Sequence, residues 1–429
     1  MTKNDTFSSK KIYDALHGFI TYDNIEKKLI ESKPFQRLHY IRQLGIAYLV
    51  FPGATHTRFE HSLGVMHLAS IIFEKICKNP TIEANSIAPR KGSLENKYWK
   101  KILRLASLCH DLGHLPFSHV AENVLTNNST HEKMTAKIIQ SNFLQPIWKE
   151  LESSIFSNKD VTKDVLKIAI GEKILKDLYP DIDFAFNDWE RILSKIINGD
   201  YFGADRIDYL LRDAKCTGIT YGIFDYLQLI EMIKILPNEN GKFTLGIDEN
   251  GLESCESLLL ARHFMFKRVY LNPHIKSYNF HLRRFMKENF INNYLMNDIN
   301  SFIQLSDVNI IFDLNKAAND QNHKSHIDAN VIVNNKGLYK AISVNEKKEK
   351  KTLETFKSLN NLQNKDIFWE FNNFSIVPKH LHFPVCLKNL SLKSAKECSK
   401  ILTTLPSIEN NWVYISPEYE LLLYSALEK

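Results

Sequence analysis

A mainly α-helical body followed by a smaller α+β region is the fold class this sequence predicts. Three observations carry it. From about residue 10 to 297 apolar residues recur at helical spacing, and most stretches that favour strands come after residue 300. The balance of 44% hydrophobic and 24% charged residues over 429 positions is that of a packed globular chain and not of a disordered one. We divide the chain into a core over 1–300 and a carboxyl-terminal α+β region over 301–429.

Each element follows from a local pattern. In "SKPFQRLHYIRQLG" (32–45) apolar or aromatic residues at 35, 38, 41 and 44 predict a helix that Gly45 stops. Thr57 and Glu60 form a T-x-x-E capping box, and Phe59, Leu63, Met66 and Phe73 supply the apolar stripe of the helix that follows. A polar loop over 78–96 leads into the helix "KYWKKILRLASLCHDLGH", which Gly113 and Pro116 break. Further helices are expected over about 130–142, 160–175, 188–198, 204–214 and 252–296, with a short strand or hairpin at "GKFTLGIDENG" (241–251). Past residue 300, "LNKAANDQNHKSHIDAN" is polar enough for a linker or exposed loop. "VIVNNKGLYKAISV" alternates about an N-N-K-G turn, and "NNFSIVPKHLHFPVCL" and "NWVYISPEYELLLYS" favour strands.

Composition excludes several classes. A net charge of +6 spread over this length permits an anionic ligand without requiring nucleic acid. The nearest basic run, "NEKKEKKTLE" (345–354), mixes both signs and predicts a solvated helix or loop. Six cysteines, at 77, 109, 216, 255, 386 and 398, show no C-x-x-C pairing and suit free thiols in a reducing compartment. The opening residues lack the apolar core of a signal peptide, and no run approaches eighteen apolar residues. A cytoplasmic protein with no membrane partner is expected.

Three stretches carry chemistry. "THTRFEHSLG" (55–64) delivers His61 just inside a capped helix. "CHDLGHLPFSH" (109–119) offers the adjacent His110 and Asp111, a nitrogen and an oxygen donor that suit Zn²⁺, Fe or Mn²⁺ better than Ca²⁺. "GADRIDYLLRD" (203–213) places Asp205, Tyr209 and Asp213 on one helical face. Each has a plainer reading: a hydrogen-bonded helix-end histidine, or an amphipathic helix with an Asp208–Arg212 pair on its surface.

Taken together, an upstream His, an adjacent His-Asp and a distant Asp resemble the H…HD…D signature of the HD superfamily of metal-dependent phosphohydrolases. "FQRLHYIRQLGIAYLVFPGATHTRFEHSLGV", "LCHDLGHLPFSH", "THEKM" and "DRIDYLLRDAKCTGITYG" resemble, more narrowly, the deoxynucleoside triphosphate triphosphohydrolase family, over about residues 10 to 290. The resemblance begins near the amino terminus, so no sterile-alpha-motif segment is expected ahead of the core. The expected fold is thus mainly α, an HD-domain helical core with a smaller α+β carboxyl-terminal region serving regulation or oligomerisation.

The resemblance implies roles residue by residue. His61, His110, Asp111 and Asp205 become ligands of a divalent ion (Zn, Fe or Mn, with Mg available to the substrate phosphates). His119 becomes the catalytic histidine that protonates the leaving 5′-oxygen, with His131 and Glu132 orienting it and His114 close by. Arg58, Arg206 and Arg262 hold phosphates, although many relatives have Lys at the position of Arg206. Gln43, Leu44, Tyr209, Asp213 and Tyr270 line the sugar, with Gln43 and Asp213 at the 3′-hydroxyl so that a 2′-hydroxyl is excluded. His56 lies outside the motif and reads as a loop or hydrogen-bonding residue. The plainer reading of His131 is a neighbour of a helix cap near Thr130, and that of the tyrosines is half-buried core.

Two departures stand out. Glu31 and His39 match positions where some relatives read a guanine edge with an acid and an arginine, and His39 lacks the arginine's fork. Phe266 stands where a polar ring is common. The implied activity is hydrolysis of dNTPs to deoxynucleoside and triphosphate, with a regulatory nucleotide and a homo-oligomer (dimer or tetramer) as implied partners. The alternatives are the same metal site acting on another nucleotide or phosphoester, and a nucleotide-sensing, partner-binding protein whose hydrolysis is conditional. Nucleic acid ranks behind both as a partner.

Overall fold

The structure is a computed structural model that describes residues 10–428 apart from 79–80, 82–83, 119, 122–123, 125–129, 155, 291–297 and 376–382. It opens on a hairpin that the helical reading did not anticipate, β1 (Lys10–Asp14) paired antiparallel with β2 (Gly18–Tyr22). Helix α1 (Asn24–Ile30) follows, closed at its start by a reciprocal capping box between Asp23 and Glu26. Such a cap contributes about 1 kcal/mol. Glu26 is buried and also takes Arg104 and Lys101, and Arg104 donates to the Thr21 carbonyl, so α1 and the hairpin are tied to the helix that leads into the His-Asp pair.

The expected helix over 32–45 is shorter than its apolar spacing suggested. A helical turn at Lys33–Gln36 tightens into 3-10 geometry over Arg37–Tyr40 and stops ahead of Gly45. The chain then straightens, because Arg42 bridges to Thr57 and Gln43 donates its N–H to the His56 carbonyl at 3.0 Å. Helix α2 (Arg58–Lys78) starts with the Thr57 N–H donating to Glu60 Oε1 at 2.7 Å, the return arm of the capping box. Helix α3 (Leu94–Cys109) is capped by Ser93, whose hydroxyl accepts from the Asn96 N–H. It ends at Cys109, so His110 and Asp111 stand on the turn beyond it.

The middle of the body is helical as expected, with breaks. These helices are α4 (His131–Ile139), α5 (Gln145–Ser154), α6 (Val161–Ile170), α7 (Glu172–Leu178), α8 (Asp188–Asn198) and α9 (Ala204–Thr217). The single helix expected over 160–175 is split at Gly171. A short helix α10 (Tyr226–Met232) runs into strand β3 (Ile233–Pro237), which pairs antiparallel with β4 (Phe243–Asp248). The hairpin expected at 241–251 is therefore present, and its first strand lies upstream of that stretch. The long helix expected over 252–296 is two, α11 (Leu252–Met265) and α12 (Pro273–Phe290), separated by a π-helical turn at Phe266–Tyr270. Residues 291–296 lie outside the described residues.

The polar stretch expected as a linker is largely helical. It contributes to α14 (Asp307–Asn319) and α15 (His326–Asn334), which follow a short α13 (Ile299–Gln304). Leu314, Ala317 and Ala329 are buried there, so a sparse apolar face suffices once it packs on the body. Val331 to Val333, read as strand, end α15, and β5 begins only at Lys340 (Lys340–Ser343). The charged run lies in a helix, α16 (Glu346–Leu359), between β5 and β6 (Ile367–Phe374). Strands β7 (Pro384–Cys386) and β8 (Leu392–Ser394) precede β9 (Ile408–Ile415), and the last stretch expected as strand turns helical in α17 (Glu420–Leu427).

Among the described residues the strands form one two-stranded hairpin and two larger sheets, ordered β3-β4-β7-β8 and β5-β9-β6. β7 pairs parallel with β4, Val385 opposite Ile247, so residues well past 300 complete a sheet of the body. The main core accordingly includes Phe302, Ile310, Leu314, Val331, Phe383, Val385 and Leu402. A second, smaller core gathers Ile342, Leu353, Ile367, Val413 and Leu423 around the β5-β9-β6 sheet. All six cysteines are free, and among the described residues no helix is long and apolar enough to cross a membrane.

Candidate active site

Three distant stretches converge where α2, the end of α3 and α9 meet. His61, Asp205 and His110 each offer a donor atom within 4.8 Å of the other two. His61 is buried completely, with Nε2 3.0 Å from Asp205 Oδ1. His110 uses Nδ1 on the Ser107 carbonyl at 2.7 Å, which turns Nε2 into the same space. That Nε2 is buried, meets no hydrogen-bond partner among the described residues, and stands 3.7 Å from Asp205 Oδ1. A buried imidazole nitrogen without a partner is costly unless something else fills the gap.

Asp111 is nearby but engaged. Its Oδ2 lies 3.7 Å from His61 Nε2 and its Oδ1 3.4 Å from His110 Nε2, while Arg58 pairs with Oδ2. By the same distance measure it groups with His114 and His131. Burial would raise the Asp111 carboxyl, but His110, Arg58 and His114 outweigh it and hold the group well below the usual carboxylate range. Two nitrogens and two carboxylates facing one space are a donor set that suits a divalent transition metal. The residues present fit such an ion.

The support for these donors comes from side chains that sequence reasoning put on the surface. Asp208 and Arg212 are both buried. Asp208 Oδ2 lies 2.8 Å from His61 Nδ1, and its Oδ1 lies 2.6 Å from His17 Nε2. Arg212 donates to Asp208 through Nε at 2.8 Å and to Asp14 through Nη1 at 2.8 Å. Asp14 and His17 sit at the β1–β2 turn, so the unforeseen hairpin is part of the brace. The only sequence signal for it was an i,i+4 acid–base pair, which usually means a solvated helix face. Burial pulls the His61 ring down, yet the hydrogen bonds of Asp205 and Asp208 lift it to about 10.

Two glycines let these elements approach. A Cβ on Gly64 would lie 1.9 Å from Asp208 Oδ1 and 2.6 Å from Arg212 Nη2, so α2 and α9 meet there without a side chain between them. A Cβ on Gly113 would lie 2.1 Å from the His131 carbonyl oxygen. That close approach brings the first turn of α4 against the His-Asp turn, where the Gly113 N–H donates to Thr135 Oγ1 at 2.9 Å.

The other expected site residues divide into those the structure gathers and those it does not describe. His119 lies outside the described residues. His114 and His131 stack with ring centroids 3.9 Å apart, and His114 Nε2 is 3.2 Å from Asp111 Oδ1. Burial and the nearby Arg58 and His131 hold His114 well below its ordinary pKa. His131 is the first residue of α4, and Glu132 Oε1 is 3.5 Å from its Nε2. Arg58 is buried and donates to Ser118 Oγ through Nε and Nη2, at 3.1 and 2.9 Å.

On the far side, Asp213 is held by His56 Nε2 at 2.7 Å and by the Tyr270 hydroxyl at 2.7 Å. Burial lowers His56, but the Asp213 hydrogen bond raises it to about 9, and burial first, then Asp213, pushes Tyr270 well above its usual value. Tyr209 lies edge-on to Tyr270, centroids 6.2 Å apart. Gln43 Oε1 and two nitrogens of Arg206, Nε and Nη1, are buried without a hydrogen-bond partner among the described residues. Leu44 is half-buried against the core. Arg262 lies over the Phe266 ring at 5.0 Å, so the ring found where a polar one was expected supports an arginine. Glu31 pairs with Lys27 at 3.2 Å, and His39 stacks on Phe59 at 3.5 Å.

This helical fold and its histidine–aspartate array are what an HD domain presents. Residues 58–178 match the family described as HD domain, a span that holds His61, His110 and Asp111 but stops short of Asp205. An uncharacterized protein of Methanocaldococcus jannaschii is 36% identical over 62% of this chain and 47% of its own length. Human deoxynucleoside triphosphate triphosphohydrolase SAMHD1 is 31% identical over 61% of this chain and 41% of its own. A crystal structure of a hypothetical protein from Aquifex aeolicus superposes with a TM-score of 0.77 at 29% identity, covering 98% of this chain and all of that one. The chain spans about half the length of the two curated relatives. The chain thus carries a stretch that matches the HD domain and is similar to a deoxynucleoside triphosphate triphosphohydrolase.

Proposed function

We infer that the protein is a metal-dependent phosphohydrolase that cleaves deoxynucleoside triphosphates to deoxynucleoside and triphosphate. The observation that supports this most is the convergence of His61, His110 and Asp205, with the unpartnered His110 Nε2 aimed between them and Asp111 alongside. Those four residues would hold the ion. When bound, a divalent ion supplies Lewis acidity and a water acidic enough to attack near neutral pH.

The remaining roles belong to the chain's own groups. Arg58, Arg206 and Arg262 would bind phosphate oxygens; the buried, unpaired nitrogens of Arg206 favour an anionic partner. In the reaction a water oxygen bonds to the α-phosphorus while the bond to the 5′-oxygen breaks, and that oxygen needs a proton. By its resemblance His119 would give it, with His131, Glu132 and His114 orienting the proton path. Asp213, held by His56 and Tyr270, keeps lone pairs for a 3′-hydroxyl, and Gln43 Oε1 is a second acceptor without a protein donor. Tyr209, Tyr270 and Leu44 would crowd the 2′ position and disfavour ribonucleotides. A regulatory nucleotide, a dimer or tetramer and a cytoplasmic setting rest on the resemblance and composition alone.

The deciding experiment incubates the purified chain, loaded in turn with Zn²⁺, Fe²⁺, Mn²⁺ and Mg²⁺, with each dNTP and NTP and resolves the products by chromatography. Deoxynucleoside plus tripolyphosphate is the expected result. Monophosphate plus pyrophosphate, or turnover of a different phosphoester only, would move the same site to another substrate class.

A further inference from the structure

Asp307 is the first residue of α14 and is 2% exposed. Its two oxygens are committed to two segments far from it in sequence. Oδ2 accepts from the Arg42 N–H at 3.0 Å, and Oδ1 accepts from the Phe117 N–H at 2.9 Å. The first N–H immediately precedes Gln43 and Leu44. The second belongs to a turn in which Phe117 and Ser118 both adopt left-handed backbone, φ 55° and 51°. Non-glycine residues keep that conformation only where the surroundings impose it.

The turn matters because of what Ser118 carries. Its hydroxyl accepts both Nε and Nη2 of Arg58, which in turn pairs with Asp111. A continuous path therefore runs from Asp307 through the Phe117–Ser118 turn to the guanidinium beside the candidate metal ligands. Arg37 reinforces the same floor: its Nε donates to the Leu305 carbonyl at 2.6 Å, its Nη2 to the His114 carbonyl at 2.8 Å, and it lies over the Phe302 ring. Burial raises the Asp307 carboxyl to about 6, against the pull of the two N–H groups and of Arg42 and Arg37. A carboxyl kept in so dry a place, with both oxygens on loops of other elements, is spent on their relative position.

We propose that Asp307 is a positioning residue that holds the 42–44 segment and the Phe117–Ser118 turn at one separation, so that Gln43 and Arg58 engage the same substrate. The proposal rests on the functional reading above for what those two residues grip. It also gives α14, whose second half falls in the stretch that reads as polar linker, a place in the site.

The test compares Asp307→Ala and Asp307→Asn with Leu314→Ala, a buried apolar change on the same helix. Amide hydrogen exchange is followed at Arg42 and Phe117, and kcat and KM are measured for a dNTP in the metal-loaded full chain. Asp307→Ala loses both hydrogen bonds and should speed exchange at both amides and raise KM by roughly tenfold or more, while kcat falls less. Asp307→Asn keeps one good acceptor and should spare one amide and give a smaller rise; it also serves if the alanine variant fails to fold. Leu314→Ala should lower the melting temperature and leave KM in place. Asp307 variants that match Leu314→Ala in both readouts would overturn the proposal. A wild-type chain inert to dNTPs would count against the functional reading instead, and the exchange data would still decide whether Asp307 couples the two segments.

Discussion

His61 presents Nδ1 to Asp208 Oδ2 at 2.8 Å, and that contact fixes which of its nitrogens faces the other donors. With Nδ1 given to Asp208, Nε2 is the nitrogen that faces Asp205 Oδ1, at 3.0 Å, and the one that would ligate an ion. Asp208 is itself held by Arg212 and His17, so the ring is set by a buried network and not by its own rotamer preference.

Removing that contact should weaken metal binding without removing a ligand. Asp208→Ala is expected to lower affinity about 10- to 100-fold, the usual effect of losing an outer partner of a ligating histidine. Titration calorimetry with Zn²⁺ or Mn²⁺ measures it, and circular dichroism checks that the helices remain. Unchanged affinity would separate Asp208 from the metal site.

Replacing a proposed ligand should act more severely. His110→Ala is expected to abolish stoichiometric metal while leaving most helicity, because Nδ1 bonds only the Ser107 carbonyl at the end of α3. His119→Ala should keep its metal by elemental analysis and lose turnover. Full activity in that variant would remove His119 from the proposed proton transfer.

Gly64→Ala inverts a common rule. Alanine ordinarily favours a helix interior over glycine by about 1 kcal/mol. Here the added Cβ would fall 1.9 Å from Asp208 Oδ1, so helix and brace must part. A net loss of about 1–3 kcal/mol in chemical denaturation is expected, together with weaker metal binding. A stabilised variant would show that α2 and α9 can separate cheaply.

Acid should attack the body through Glu26. Burial alone would raise this carboxyl, but Arg104 and Lys101 hold it down at about 2 in the folded state. A depressed carboxyl stabilises the fold above its ordinary pKa, and that contribution fades as pH falls from 4.5 towards 2. The window amounts to about 3 kcal/mol. Denaturation of wild type should therefore weaken across it, and Glu26→Gln, weaker at neutral pH, should show a flatter profile there. Parallel profiles would mean that Glu26 is not what acid titrates.

Long periodic segments were legible because each is a local signal. The helices at 58–78, 188–198 and 204–217 follow their apolar stripes; of the four expected ligands, His61, His110 and Asp205 have donor atoms within 4.8 Å of one another, and Asp111 groups with His114 and His131. What escaped depends on partners. The β1–β2 hairpin is only five residues a strand, and its inner face mixes Ile12, Ile20 and Tyr22, which meet the core, with Asp14, which meets Arg212. The 314–330 stretch looks like a linker because few of its residues are apolar, and it becomes helix because those few pack against the body. Asp208 and Arg212 spell a surface ion pair until His61, His17 and Asp14 close around them.

The route of the chain between its two cores has a mechanical result. It leaves the body after α15, builds β5 to β6, comes back to lay β7 alongside β4, and departs again for β9. A module hung on one link can swing like a gate; one stitched on by three passes has no single axis to turn about. Force applied to the small sheet is therefore shared among all three links and the face of α12, where Phe280 stacks on Phe368 of β6 at 4.0 Å.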